Sequence, residues 1–324
     1  MAVYLSQELW KSGQFASIDI IVPRGASFLR GFLTSYPYIS VLEISMVRPR
    51  SALRILRGRK VAILHPTVGR IPLQVKIFAW FTTCGRGSEL IGFKDAGPLC
   101  GLYSKTLVYD TSKPYLETMH DIARALLVSV DSSAPRLEFP GNQKVLEKFN
   151  LNNKPYIVFH PGASNPKRMF SVVDAVQVID HLQVSFPDFS VVLSGGPEER
   201  TRLVEIRDAA KEKEKIIIAA GCPAQELVAL LQNAKLFIGT DTGTTHLACF
   251  LGTKVLCVAH HGTANWLPFY APQARVLYRF TEDTEAHEGE AYLRAHLRGR
   301  LKPFGDVSVK KVCQEIKDLL GGIV

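Results

Sequence analysis

At 324 residues, 47% of them hydrophobic, the chain is too long for one ordinary core and suits two domains of roughly 150 residues each. A mean hydropathy of +0.08 with 21% charged residues excludes a disordered chain, and no apolar run reaches the roughly 18 residues that a bilayer span needs. The net charge of +9 is lopsided: residues 1–150 hold 19 Lys and Arg against 11 Asp and Glu, and residues 151–324 hold 20 against 19.

Much of that excess sits in Arg48, Arg50, Arg54, Arg57, Arg59 and Lys60. A basic half seeks an anionic partner, whether a phosphorylated substrate, a membrane surface or nucleic acid. A solvated basic helix face accounts for the run equally well. Six scattered cysteines (Cys84, Cys100, Cys222, Cys249, Cys257, Cys313) form no C-x-x-C pair and no tight cluster with histidine. They fit reduced thiols in a cytoplasmic protein better than a disulfide frame or a zinc site. The start, MAVYLSQELWKSGQF, has no basic segment followed by an apolar one, so no secretory signal is read.

In chain order, residues 17–22 (SIDIIV) make a buried-strand run closed by Pro23-Arg24-Gly25, and 41–44 and 61–64 are further strand candidates. Residues 115–128 have helical spacing. The polar, proline-bearing stretch 131–142 marks the approach to a domain boundary, which gives a first domain over 1–145 and a second over 150–305. The second half alternates more cleanly. Strands are expected at 156–159, 190–193, 216–218, 236–238 and 255–258, and helices at about 172–184, from 198 to about 213, 225–232 and 245–251. Apolar strands alternating with helices predict a parallel sheet covered on both faces. Ligands of such sheets bind at the carboxyl ends of the strands, here 160–167, 194–199, 221–222, 240–246 and 260–266. A last helix, 308–320, is expected to pack back on the first domain.

Glycines and polar residues gather at those strand ends. The strongest group is GTDTGTTHLA, 239–248: a buried strand ends, a glycine allows a tight turn and a helix begins. Backbone N–H groups at such a start favour a phosphate. Asp241 can accept hydrogen bonds from sugar or ribose hydroxyls, or cap the helix. A cap alone would not need Gly243 and His246 as well. In the second group, HPGAS (160–164) with Lys167 and Arg168, Gly162, Ala163 and Ser164 permit close backbone approach. A cation seven residues past the strand can neutralise a leaving diphosphate. The third group is SGGPEE, 194–199. Here Glu198 or Glu199 either binds ribose hydroxyls or simply suits the first turn of a helix. The G-x-G-x-x-G, G-x-x-x-x-G-K-[ST] and G-x-S-x-G patterns are all missing, which argues against a dinucleotide dehydrogenase, a P-loop NTPase and a serine hydrolase. His260-His261 has no acidic or cysteine partner at ligand spacing.

In this order and spacing, the three groups with ELVALLQNAKLFIGTDTGTTHLA (226–248) and HGTANWLPF (261–269) resemble glycosyltransferase family 9, which includes the lipopolysaccharide heptosyltransferases. D-T-G-x-x-H-L-A is the most specific stretch. The likeness is firm over about 154–270 and weaker in IDIIVPRG, PYISVLEI and LIGFKDAGPLCGLYS. It implies an α/β GT-B fold, two Rossmann-like domains facing across a cleft, with no metal and no cofactor. A nucleotide sugar, ADP-heptose by carry-over, would be the donor substrate. Lys167 would match the donor-phosphate lysine. Asp241, Thr242, Gly243 and His246 would match the loop holding donor sugar and diphosphate, Glu198 or Glu199 the ribose-binding acid, and Cys222 the residue against the base. The implied reaction is inverting transfer of a heptose or similar sugar to a lipopolysaccharide core acceptor. The basic first domain would suit an anionic, lipid-anchored acceptor met at the cytoplasmic side of the inner membrane.

One departure stands out. Family members begin with a strand and a Gly-Asp-rich loop whose aspartate resembles the general base. Residues 1–16 instead look like the helix that follows it, and IDIIV is already the second strand. The N-terminal domain therefore reads as lacking its first strand, and no catalytic base is assigned. Either the natural chain starts further upstream or this is a copy that binds donor without transferring it. A sugar-nucleotide epimerase is a further alternative. Nucleic-acid binding has neither a stacking platform nor a module to support it.

Overall fold

The computed structural model describes residues 1–22, 27–43, 61–63, 89–94, 103–110, 113–130, 135–139, 144–152, 154–259, 264–278 and 307–321. The chain forms two compact units, residues 2–111 with 115–130, and residues 131–324 with 1 and 112–114. The basic run 48–60 and the pair His260-His261 lie outside the described residues.

In the first unit, helix α1 (Ala2–Lys11) precedes strand β1 (Ile18–Val22), where the sequence puts a helix and then IDIIV. Helix α2 (Ser27–Leu33) leads to β2 (Ile39–Glu43), which pairs in parallel with β1, Ile20 opposite Val41. A second parallel sheet holds β3 (Val61–Ile63), β4 (Glu89–Phe93) and β5 (Lys105–Leu107). Helix α3 (Tyr115–Ala125) buries Leu116, Met119, Ile122 and Ala123, the i, i+3, i+6, i+7 spacing of one helical face. It packs beside α1, with Tyr4 edge-on to His120 at 6.1 Å between ring centroids.

In the second unit, helix α4 (Lys144–Lys148) is followed by β6 (Tyr156–His160), α5 (Val172–Ser185), β7 (Ser190–Gly195), α6 (Arg200–Ala209), β8 (Ile216–Ala220), α7 (Ala224–Asn233), β9 (Leu236–Gly239), α8 (Gly243–Phe250), β10 (Val255–Ala259) and β11 (Ala274–Tyr278). The last helix is α9 (Val309–Leu320). Among the described residues the six strands form one parallel sheet in the order β11-β10-β9-β6-β7-β8. Counted from β6 this is the doubly wound order 3-2-1-4-5-6.

Alternate residues of each strand enter opposite cores, as a two-residue period requires. Tyr156, Val158, Val192, Phe237 and Cys257 face one core with α4, α7 and α8. Ile157, Phe159, Leu193, Ile238 and Leu256 face the other with α5, α6 and α9. Helix α5 begins where the Ser171 hydroxyl accepts the Asp174 N–H at 3.0 Å, a cap worth about 1 kcal/mol. It then buries Ala175, Val178, Ile179 and Leu182, the stripe that sets it against the sheet.

Two features bear on how the chain is divided. Val145, Leu146 and Leu151 lie in the second unit's core and that unit begins at Asp131, so the boundary falls ahead of residue 145. Helix α9 buries Val312, Ile316 and Leu320 beside Val178, Ile179 and Leu256. Where the sequence suggests a return to the first domain, the buried stripe of this helix is used to cover the second. Among the described residues, no helix is long and apolar enough to cross a membrane.

The chain turns outward in opposite directions after β6 and after β9, since β7 and β10 lie on opposite sides of that pair. His160 and Gly239 are register partners at their carboxyl ends. A crevice at this point is where open α/β sheets receive ligands.

Candidate functional site

The two loops at the crevice are tied together from below. The Thr240 hydroxyl donates to the Gly162 carbonyl at 2.7 Å, both buried, and the Thr245 hydroxyl donates to the Thr240 carbonyl. These bonds fix the turn through which β9 becomes α8. That helix starts at Gly243, two residues ahead of the expected 245, with Thr242 in the N-cap position at φ −140° and ψ 169°. Among the described residues no side chain caps it, so its first N–H groups stay available to an anion. A methyl added at Gly243 would have no described heavy atom within 4 Å. The protein's own packing therefore does not require glycine there.

Asp241 does not cap the helix. Its carboxylate, 9% exposed, faces two other groups: Arg168 Nη1 lies 3.8 Å from Oδ2 and His246 Nε2 lies 3.5 Å from Oδ1. Arg168 also donates to the Asp241 carbonyl at 3.3 Å and to Ser164 Oγ at 2.8 Å. Of the adjacent cations, Lys167 is exposed while Arg168 is half-buried in the crevice. They share a short 3-10 turn, Pro166–Arg168, whose Asn165 side chain accepts the Lys167 N–H. At three residues per turn, neighbours diverge by about 120°, so the two side chains leave the turn in different directions.

The glutamates divide similarly. Glu199 Oε2 accepts the Gly196 N–H at 2.7 Å, and its Oε1 occupies the space over Gly162, 1.7 Å from where a methyl on that residue would sit. Glu199 thus closes the turn after β7 and packs over Gly162 of the β6 loop. Glu198 is exposed and lies over Gly196. His160 Nδ1 and Ser194 Oγ are 3.1 Å apart, a hydrogen bond that joins the ends of β6 and β7.

Burial holds the His160 imidazole below its ordinary value, with the Glu199 charge and Ser194 only partly opposing it. The neutral ring is thus favoured in the fold, and below about pH 6.5 the unfolded chain takes up a proton more readily than the folded one. The stability His160 contributes is complete above that value and is lost as pH falls. His160→Gln should flatten the melting temperature between about pH 7.5 and pH 5.5, as followed by circular dichroism. An unchanged slope would remove His160 from the acid response.

Two parts of the neighbourhood emerge from the structure alone. The Tyr270 hydroxyl lies 2.9 Å from His246 Nδ1, and their rings stack at 6.0 Å and 16°. The sequence offers a weak signal here, an aromatic directly after HGTANWLPF. Arg168, noted beside Lys167, proves to be the cation at Asp241. Cys222 follows Gly221, which has φ +66° and packs on Pro197. Its thiol is pushed up to about 11, first by burial and then by the Glu226 charge, so it stays protonated and weakly nucleophilic. Among the described residues, no group of three or more His, Cys, Asp and Glu could hold a metal ion. Asp19 lies within β1, opposite Ser40, and no described residue is assigned as a base.

With this geometry in place, the chain can be set beside known proteins. Residues 75–291 match the family described as glycosyltransferase family 9 (heptosyltransferase). The fold resembles that of the E. coli ADP-heptose LPS heptosyltransferase II, with a TM-score of 0.73 and 19% identity over 99% of this chain and 95% of that one. It resembles equally a family 9 glycosyl transferase from Veillonella parvula, with a TM-score of 0.73 and 16% identity over 99% and 94%. An E. coli heptosyltransferase solved with ADP gives a TM-score of 0.66 and 14% identity over 98% and 96%. These are α/β structures of the GT-B kind. No curated protein sequence matches the chain.

Proposed function

Since the chain belongs to glycosyltransferase family 9, we propose that it transfers a heptose or a similar sugar from a nucleoside-diphosphate donor, ADP-heptose first among candidates, to an anionic lipopolysaccharide core acceptor. One observation carries this reading: the uncapped, open start of α8, the Asp241 carboxylate and the Arg168 guanidinium converge on the switch point of one sheet.

Each part has a role in such a transfer. The acceptor oxygen attacks the anomeric carbon from the face opposite the diphosphate. The carbon–oxygen bond to phosphate breaks and the nucleoside diphosphate leaves with the electron pair. The acceptor's proton passes to a base, to which no described residue is assigned. Negative charge builds on the leaving phosphate, and the α8 N–H groups with Arg168 lie where they stabilise it. Lys167, exposed at the rim, adds a second cation. On this reading Asp241 takes donor hydroxyls with His246 beside it, Gly162, Ala163 and Ser164 give close backbone approach, and Thr242 meets the phosphate beside Gly243. Glu199 is already engaged by Gly196, which leaves Glu198 for the ribose. The protonated Cys222 thiol offers a neutral, polarisable surface to the base. The excess positive charge of residues 1–150 suits an anionic acceptor at the inner membrane surface.

Isothermal titration calorimetry with ADP-heptose tests the reading, with Gly243→Ala as the informative variant. An alanine there leaves the fold as stable as before or slightly more so, because the first helical turn gains a better helix former. The added methyl stands in the path of the phosphate and should cost about tenfold in affinity, roughly 1.4 kcal/mol. A folded wild-type chain that binds no ADP-heptose, or a Gly243→Ala variant that binds it as well, defeats the reading. Binding without transfer to a core acceptor selects the catalytically impaired alternative.

A further inference from the structure

We infer that Tyr270 is a positioning residue that donates its hydroxyl proton to His246 Nδ1 and so keeps a ring proton on Nε2, where the ring presents a donor, and not a base, to the crevice. The inference rests on the nucleotide-sugar reading for its purpose but on this structure for its geometry.

His246 has two ring nitrogens, one hydrogen-bonded and the other beside a carboxylate. Nε2 lies 3.5 Å from Asp241 Oδ1, and a carboxylate only accepts. Nε2 therefore carries the proton for that contact to be favourable. In a neutral ring Nδ1 then has a lone pair and needs a donor. The group facing it is the Tyr270 hydroxyl at 2.9 Å. Burial, with the Asp241 charge adding to it, pushes that hydroxyl well above its ordinary value, so it keeps its proton and donates. The chain runs in one sense, from the Tyr270 O–H to His246 Nδ1 and from His246 Nε2–H towards Asp241.

The ring of Tyr270 is fixed independently, stacked on Phe250 at 5.5 Å and on His246 itself. The His246 backbone is fixed too, its N–H donating to the Thr242 carbonyl at 3.3 Å in the first turn of α8. The hydroxyl is thus a rigid donor aimed at a rigid ring. Two orientations of the proton are chemically available to any neutral histidine, and this arrangement selects one. A donor pointing at Asp241 orients the carboxylate that the proposed reading gives to the sugar. A base at the same place would compete for the hydroxyl protons instead.

The test combines a spectrum with a double-mutant cycle. In the full chain labelled with 15N-histidine, with His246→Ala identifying the signal, the long-range 15N–1H spectrum should show His246 protonated on Nε2. In Tyr270→Phe, which keeps the stacked ring, that preference should relax while the melting temperature holds. ADP-heptose affinity should fall about three- to tenfold in Tyr270→Phe, the loss expected for one neutral hydrogen bond. The same substitution made in His246→Ala should cost nothing more. A proton on Nδ1 in the wild type, or an equal loss from Tyr270→Phe in both backgrounds, overturns the inference. If the wild type binds no ADP-heptose, the nucleotide-sugar reading falls, and the spectrum still decides the tautomer.

Discussion

Asp241→Asn should separate recognition of the sugar from recognition of the diphosphate: affinity for ADP-heptose falls about 30-fold or more, while affinity for ADP holds or rises. The carboxylate is nearly buried, between Arg168 and His246, beside the start of α8. Hydrogen bonds from donor hydroxyls to a carboxylate contribute about 1.5–3 kcal/mol each, and about 2 kcal/mol already corresponds to that 30-fold loss. For a bound diphosphate the same carboxylate is a like charge. Making it neutral removes repulsion and frees Arg168 for phosphate, so ADP alone should bind no worse. Titration of both ligands against both proteins gives the comparison. An equal loss for ADP and ADP-heptose would make Asp241 a support for the loop and not a reader of sugar. No loss for either would remove it from the site.

Gly239→Ala should lower the melting temperature by about 6–10 °C, the largest single effect expected on stability. Gly239 is the last residue of β9 and pairs with His160 across the switch point. A methyl there would sit 2.7 Å from two atoms of the Phe237 ring and 3.3 Å from the His160 carbonyl. Phe237 leans along the strand over the glycine and is itself fully buried in the core, so the ring has no room to yield. Overpacking of this kind costs about 1–3 kcal/mol, and relief by a backbone shift would move β9 away from β6 and spoil the crevice. Donor affinity should fall with stability, in contrast to Gly243→Ala, where affinity falls alone. Differential scanning calorimetry measures the effect, and a melting temperature within 2 °C of wild type would show that the ring does yield.

The sequence carries five of the six strands of the second domain well, because each of those is an apolar run, but it misses β11, where Arg275 interrupts the apolar residues. It carries the turn chemistry too: Gly162, Asp241, Gly243 and His246 stand out because tight turns and helix starts select those residue types within a few positions. The first domain is less legible. Its strand β5 is only three residues long and only partly buried, so no alternation distinguishes it.

Strand order, by contrast, is decided only in the folded chain. The strands β6, β7, β9 and β10 are similarly apolar, and nothing local tells β6 to pair with β9 instead of ending at an edge. The choice of Arg168 over Lys167 at Asp241 joins residues 73 apart, and the tie from Thr240 to Gly162 joins residues 78 apart. The same holds for the hydroxyl of Tyr270 on His246 and for the destination of α9. Periodicity and turn preference are properties of a few neighbouring residues and are written along the chain. Which distant segments meet depends on how two cores are filled at once, and that is fixed only when the whole sheet is assembled.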